Sequence, residues 1–193
     1  AAATTFNTED PPAVCARRIE AAAAAGPAAL RAAHLADYQP LFNRVSLRLP
    51  CDAKALERPT DERVEQVRQS APQEAAPDLA LAVLLFQYGR YLLIASSRPG
   101  SLPANLQGKW AEGLTPPWNS DYHTNINLQM NYWPSGPTGL DECQEPLFAF
   151  LDGLRPSGRR TARVHYGCGG FVVHHVTDIF GFTVPGDGYT CGL

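Results

Sequence analysis

The sequence has no excess of positive charge. Its 193 residues contain 16 lysines and arginines against 19 aspartates and glutamates, which gives a formal net charge of -3. Nucleic acids and anionic membranes attract proteins through clustered basic side chains. We therefore expect neither a nucleic-acid partner nor a membrane partner, and a neutral ligand fits the composition better.

Closely spaced cysteines are also missing, so neither a disulfide framework nor a paired-cysteine metal site can be predicted. The five cysteines are far apart in the chain. They are Cys15, Cys51, Cys143, Cys168 and Cys191. We expect no metal and no cofactor.

A membrane-spanning run is absent as well. The most apolar stretch, residues 79–95, is interrupted by Gln87, Gly89 and Arg90 and is shorter than the roughly 20 residues that cross a bilayer. Its apolar residues lie almost all round a helix, which predicts a core helix covered on every side.

The two ends lack features that begin or close a domain. Residues 1–7 include no basic flank or signal-like run and resemble the last strand of a missing upstream domain. Residues 186–193 stop among turn-forming residues. We expect a fragment at both ends.

What the chain does contain is mostly helical. Alanine-rich residues 12–25 predict a helix, Gly26 and Pro27 predict a break, and a second helix should reach about Phe42. Alternation over residues 45–49 predicts a short strand.

Further along, Thr60 should begin a helix with its hydroxyl as cap. Residues 141–154 and 158–166 predict two helices separated by Pro156 and ended by Gly167, and residues 171–175 should be extended. Residues 98–124 form a long segment rich in proline and glycine, the kind of loop that carries sites.

Amide side chains are concentrated in residues 125–133, Asn-Ile-Asn-Leu-Gln-Met-Asn-Tyr-Trp. An amide both donates and accepts hydrogen bonds, as a sugar hydroxyl does, and Trp133 offers an apolar face for a pyranose ring. Asn125 and Asn127 share a face only in an extended backbone. A helix starting near Leu128 would let this pair face a ligand and leave Asn131 packed behind. An amphipathic strand with solvated amides is the alternative, and composition does not decide between them.

Histidines and tryptophans surround this cluster. His123 would lie on the side of both asparagines in an extended segment, so we expect it to contact a sugar, a hydrogen-bonded loop histidine being the alternative. His174 and His175 should point to opposite faces of a strand, so at most one reaches a pocket, and zinc bound by both is disfavoured. The tryptophans either stack on sugar or pack in the core. They are Trp110, Trp118 and Trp133.

Several motifs together resemble the alpha-L-fucosidases of glycoside hydrolase family 95. The resemblance rests on Asn-Leu-Gln-Gly-Lys-Trp at 105–110, Pro-Pro-Trp-Asn-Ser at 116–120, His-Thr-Asn-Ile-Asn-Leu-Gln-Met-Asn-Tyr-Trp-Pro at 123–134 and Glu-Cys-Gln-Glu-Pro-Leu-Phe at 142–148. Phe171, Val176 and Phe180 depart from it, since tryptophan, asparagine and tryptophan are common there.

The resemblance implies a mainly α fold. Residues 1–50 would hold a short remnant of an upstream β-sandwich and a helical linker. Residues 51–193 would be the first part of an (alpha/alpha)6 catalytic barrel. The rest of the full-length polypeptide would complete it.

The resemblance also implies inverting hydrolysis of terminal alpha-1,2-linked L-fucose, with a fucosylated oligosaccharide as substrate. Asn125 and Asn127 match the asparagines that hold the attacking water. We expect substrate contacts from a further set of residues. These are His123, Trp133, His174, His175 and Asp178.

The family's general acid and base lie downstream of the matched part, beyond Leu193, so the isolated chain is expected to be inactive.

Three alternatives stay open. One is an alpha-L-galactosidase of the same family, because L-galactose differs from L-fucose by one hydroxyl. Another is a sugar-binding relic without hydrolysis. The third is a metal-binding protein that uses His123, one of His174 and His175, and Asp178.

Overall fold

The computed structural model describes residues 3–5, 8–51, 53–70 and 78–186 and is mainly helical, as the sequence predicts. The α-helices are α1 (Pro11–Phe42), α2 (Ala53–Leu56), α3 (Thr60–Gln69), α4 (Leu79–Ser96), α5 (Asn127–Tyr132) and α6 (Glu145–Tyr166). Two 3-10 turns span Pro117–Ser120 and Asp141–Gln144, and two short strands are β1 (Tyr122–His123) and β2 (Val176–Thr177).

Helix α1 contains the predicted break. Asp10 caps its first turn, because the carboxylate accepts a hydrogen bond of 3.0 Å from the amide of Ala13. Gly26 has φ 75° and ψ 165°, outside the helical region, and Pro27 starts the following turn. Glycine takes this positive φ without steric cost, so the break predicted at Gly26 is confirmed.

Helix α3 begins at Thr60, as predicted, but the predicted hydroxyl cap is wrong. Pro59 occupies the capping position and has no side-chain acceptor, because Thr60 is already the first helical residue. The link to α4 is an ion pair instead. Arg63 donates from Nε and Nη2 to the two carboxylate oxygens of Asp78, at 2.9 and 2.8 Å.

Helix α4 packs by one face only within the described part of the chain, so the prediction that it is covered on every side is wrong there. Leu93 and Ile94 are buried, whereas Leu85 is 69% exposed. By length and hydropathy α4 is the one described helix that could cross a membrane. Its buried Arg90 nevertheless donates hydrogen bonds to the carbonyls of Leu41, Phe42, Val45 and Thr138, which fasten it to neighbouring segments.

The strand predicted over residues 45–49 is wrong, since no strand is assigned there. The carbonyl of Val45 accepts from the side chains of Arg90 and Gln87, so these side chains occupy an acceptor that a strand partner would use.

Helix α6 runs through Pro156 without interruption, so the predicted separation into two helices is wrong. Proline removes one backbone donor from the helix, and burial of apolar residues on both sides of it, including Leu154 and Ala162, outweighs that loss. The predicted end is confirmed, because Gly167 has φ 61° and its amide donates to the carbonyl of Arg163.

Strands β1 and β2 form a two-stranded antiparallel sheet in which Tyr122 pairs with Thr177 and His123 with Val176. The amide of Thr124 extends the pairing by donating to the carbonyl of His175 at 2.8 Å. The assigned strand therefore begins just after the segment predicted as extended, residues 171–175. This sheet brings the loop before α5 next to the segment after α6.

The hydrophobic core lies between α4, α5 and the start of α6. Its buried members include Leu93, Ile94, Tyr122, Leu128, Tyr132, Leu140, Cys143 and Leu147. The strand predicted at the beginning of the chain falls partly outside the described residues, and residues 3–5 contain no strand. The turn-rich residues 187–193 lie outside the described part as well.

Candidate active site

The short helix α5 is anchored on its inner side by Tyr132. The Tyr132 hydroxyl is 2.8 Å from the backbone amide of Ala104, which donates to it, and 2.8 Å from the hydroxyl of Ser97. Asn131 also packs behind the helix start, because its side-chain amide donates to the carbonyl of Asn105 at 3.1 Å. These contacts fix which residues of the asparagine segment remain free for a ligand.

A pocket of about 700 Å³ opens beside the start of α5. Its lining comes from the loop before β1, from the loop between β1 and α5, and from the segment around β2. The lining residues are Leu106, Trp118, Asn119, Asp121, His123, Asn125, Asn127, His175, Val176, Phe182 and Gly186. Four of the residues predicted for the site are therefore brought together.

Asn125 and Asn127 both line this pocket, and both are exposed. The backbone is non-helical at Ile126, with φ 178°, and helix α5 begins at Asn127. This is the first of the two arrangements considered for the segment, a helix that starts at the second asparagine, rather than an amphipathic strand. Two neutral amides consequently face one cavity.

His123 approaches Asp121 at the floor of the pocket. His123 Nδ1 and Asp121 Oδ1 are 2.7 Å apart, and the two side chains are only 14% and 19% exposed. The contact is close in distance but poor in angle, since neither atom has a well-directed hydrogen bond to any protein atom. We regard it as a direct contact between the two side chains, because two buried polar atoms at this distance have no other partner.

Burial raises the pKa of the Asp121 carboxyl above its usual value. The neighbouring His123 is the largest opposing influence and His175 a smaller one, because a positive imidazole favours the ionised carboxylate. A carboxyl group with a raised pKa in a polar cavity is typical of functional sites.

The two adjacent histidines separate, as strand alternation predicts. His175 lines the pocket, whereas His174 is buried on the other side. His174 Nδ1 is 2.7 Å from the carbonyl of Thr183, and His174 Nε2 is 2.5 Å from the hydroxyl of Tyr166. His174 thus holds the segment that presents His175.

Only one of the three tryptophans lines this pocket. Trp118 is 66% exposed, and its ring meets that of His123 edge to face, with centroids 5.7 Å apart. Trp118 and Asn119 have left-handed backbones, with φ 54° and 56°, an arrangement found disproportionately at functional sites. Trp133 is 61% exposed but is not among the lining residues, and Trp110 lines a separate cavity of about 400 Å³.

Asp178 lies outside the pocket lining and closes a turn. Its carboxylate accepts from the amides of Phe180 and Phe182, at 2.9 and 3.2 Å. This turn presents Phe182 to the pocket. Asp178 is therefore placed to shape the site rather than to touch a ligand.

The arrangement differs from a metal centre or a complete acid-base pair. Within the described residues, no three histidine, cysteine, aspartate or glutamate side chains lie together as metal ligands. Glu142 hydrogen bonds to Arg44 at 2.8 Å, and this contact lowers the pKa of the Glu142 carboxyl. A general acid needs the opposite shift, so Glu142 is unsuited to that role.

Sequence reasoning missed Asp121, Asn119 and Phe182 as lining residues. A signal existed for Asp121, because Asp121, His123 and Asn125 follow each other at intervals of two, the spacing of one strand face. Phe182 carries no such signal, since a turn closed by Asp178 brings it to the pocket.

Comparison with known proteins identifies relatives that are named as alpha-fucosidases. The chain is 48% identical over 183 residues to Alpha-L-fucosidase 2 of Arabidopsis thaliana, which covers 93% of this chain and 21% of that protein. It is 45% identical over 161 residues to Probable alpha-fucosidase A of Aspergillus niger, covering 82% of this chain and 20% of that protein. The protein of the same name from Aspergillus oryzae is 38% identical over 182 residues, or 93% of this chain and 24% of its own length.

The chain thus spans between a fifth and a quarter of the length of these curated relatives. The family model described as the glycosyl hydrolase family 95 catalytic domain matches residues 26–193, which include every residue of the pocket. The chain belongs to glycosyl hydrolase family 95.

Proposed function

We propose that the protein to which these residues belong is an alpha-L-fucosidase that removes terminal alpha-1,2-linked L-fucose from oligosaccharides or glycans with inversion at the anomeric carbon. The observation that carries the proposal is that Asn125 and Asn127 line one pocket together with His123 and His175. Family membership and the names of the relatives support the same activity.

The asparagine pair suits the task of holding a nucleophilic water. In an inverting glycosidase the water sits between the sugar and a carboxylate base, and the two catalytic carboxyl groups are about 6.5 to 9.5 Å apart. An amide oxygen of the pair accepts one hydrogen of that water without adding a competing negative charge, an amide N–H of the other asparagine can donate to the water oxygen, and the second hydrogen stays directed at the base. The water's lone pair is then aimed at the anomeric carbon, and its entropy of positioning is lost on binding rather than in the transition state.

The remaining lining fits a small neutral sugar. The volume of about 700 Å³ lies inside the range of small-molecule sites, about 300 to 1,000 Å³. His123 and His175 provide polar contacts for hydroxyl groups, while Trp118 provides an exposed aromatic surface for the apolar face of the ring. His174 and Asp178 support this wall from outside the pocket lining, and Trp133, which is exposed, is not part of the lining either.

The proton-transfer groups are assigned, on this proposal, to residues of the full-length protein beyond Leu193. Glu142 is held ionised by Arg44. The isolated chain would then bind sugar weakly and turn over none. We also propose that the chain forms the beginning of an (alpha/alpha)6 barrel, with the boundary between linker and barrel at residue 50.

Fucose release by the full-length protein tests the function. We expect free L-fucose from 2'-fucosyllactose, with the β-anomer seen first by proton NMR, because inversion of an alpha linkage gives that anomer. Release of the α-anomer would disprove inversion. Faster hydrolysis of the matching alpha-L-galactoside would favour the galactosidase alternative, and calorimetric binding of fucosylated glycan without release would favour the binding relic.

A further inference from the structure

We propose that Asp121 is a positioning residue that holds His123 Nδ1 and so directs His123 Nε2 toward the ligand. The identity of the ligand rests on the proposed function, whereas the contact between Asp121 and His123 does not depend on it. Nothing in the family match assigns a role to Asp121, and the sequence alone is equally compatible with a turn-capping aspartate.

The first observation is that the contact is exclusive. Asp121 Oδ1 and His123 Nδ1 are 2.7 Å apart and both atoms are buried; their mutual contact is short although its angle is poor, and neither atom has another hydrogen-bond partner among the described residues. A carboxylate oxygen can only accept, so the Nδ1 atom that faces it carries the proton. This fixes the neutral ring in its Nδ1–H tautomer, with Nε2 as the unprotonated nitrogen.

The second observation concerns the other side of the ring. His123 lines the pocket, and Nε2 has no protein partner within the described residues. An unprotonated Nε2 accepts a hydrogen bond, so it matches a hydroxyl donor of the bound molecule. Without Asp121 the ring could flip or change tautomer, and Nε2 would then present a donor, which mismatches that hydroxyl.

The third observation is the rigidity of the backbone that carries the pair. His123 belongs to β1, where it pairs with Val176, and the carbonyl of Asp121 accepts from the amide of Leu106 at 3.1 Å. The main chain that carries both side chains is therefore held in place, and the contact with Asp121 restricts the remaining rotation of the imidazole. His175 is the other titratable side chain that acts on Asp121 and also lines the pocket.

A double-mutant cycle in the intact protein tests the coupling. Asp121→Ala should lower kcat/KM on 2'-fucosyllactose about tenfold, the effect of losing roughly 1.4 kcal/mol of transition-state binding. In a His123→Ala background the same change should have almost no further effect, since a residue that acts through another is silent once the other is gone. Additive losses in the double variant would overturn the inference.

A second readout does not require activity. Nitrogen-15 spectra of histidine-labelled protein, assigned with His123→Gln, should show the Nδ1–H tautomer for His123 and its loss in Asp121→Ala. An unchanged tautomer would overturn the inference even if fucose release is measured. Wild-type protein that releases no fucose would disprove the proposed function alone, because the tautomer would still report on Asp121.

The matched control is Asp152→Ala. Asp152 lies on α6, is 71% exposed at its side chain and pairs with Arg155 at 2.6 Å, and neither residue is part of the pocket lining. It should change neither kcat/KM nor the His123 spectrum. A change as large as that of Asp121→Ala would show a general effect of lost negative charge and would overturn the assigned role.

Discussion

Asn125 and Asn127 face the same pocket because Asn125 lies in a turn and helix α5 begins only at Asn127. Residue 125 precedes the helix and residue 127 begins α5, so the opposition expected for two helical residues at this spacing does not arise. Asn131, one helical turn after Asn127, is turned toward the carbonyl of Asn105 instead. Asn125 and Asn127 thus line the pocket, whereas Asn131 is hydrogen-bonded to the backbone of another segment.

This difference predicts a separation between catalytic and structural effects. Asn125→Ala and Asn127→Ala in the full-length protein should each lower kcat for fucose release by about 10² or more, the cost of misplacing a reacting group, with a smaller effect on KM. Asn131→Ala should leave kcat near the wild-type value and lower Tm. Steady-state kinetics and thermal unfolding of the three variants provide the measurement, and a turnover unchanged in both pocket variants would contradict the water-holding role.

Much of this arrangement could be predicted from the sequence. Strand alternation separates His174 from His175, and the Gly26 break and the Gly167 end follow from local chemistry. Local rules failed where a distant side chain intervened. The carbonyl of Val45 is taken by Arg90, which is 45 residues away, so alternation at residues 45–49 did not produce a strand.

Two site residues illustrate the same limit. The sequence predicted a sugar contact for Trp133 in particular, yet of the two tryptophans Trp118 and Trp133 only Trp118 lines the pocket. Its placement depends on a left-handed turn at Trp118 and Asn119. The sequence does not signal this turn, because neither residue is a glycine. Trp133 follows directly from the end of α5 and is not among the lining residues.

The tryptophans provide a direct comparison. Trp118→Ala should raise KM for 2'-fucosyllactose about tenfold, because aromatic contact contributes about 0.5 to 1.5 kcal/mol beyond simple burial. Trp133→Ala is the matched control, since Trp133 has a similar exposure but is not among the lining residues. A larger KM effect at Trp133 would move the sugar out of the proposed pocket.

The ion pair of Arg63 and Asp78 predicts an acid-sensitive step in stability. Its hydrogen bond from Arg63, assisted by the amide of Leu81, lowers the pKa of Asp78 from 3.8 to about 2. A carboxyl that is more acidic when folded stabilises the protein fully above its unfolded pKa, and that contribution is lost as the pH falls through the folded value. The free energy of unfolding should therefore decline between about pH 4 and pH 2.

Asp78→Asn isolates this contribution. Asparagine retains an oxygen for the Leu81 amide, which Asp78 accepts at 2.8 Å, but cannot ionise. Urea unfolding at a series of pH values should show lower stability of the variant at pH 6 and convergence with wild type near pH 2. An unchanged pH slope between the two proteins would show that the pair contributes nothing to acid sensitivity.

The contact between His174 and Tyr166 should stabilise the wall that carries His175. The carbonyl of Thr183 can only accept, so His174 Nδ1 carries the proton, and Nε2 accepts from the Tyr166 hydroxyl. Tyr166→Phe leaves Nε2 of a buried ring without its donor and should lower the free energy of unfolding by about 1 to 3 kcal/mol. Tyr88→Phe is the control, because Tyr88 is 53% exposed and its hydroxyl has no hydrogen bond within the described residues. Equal stability of the two variants in urea would show that the hydroxyl does not hold His174.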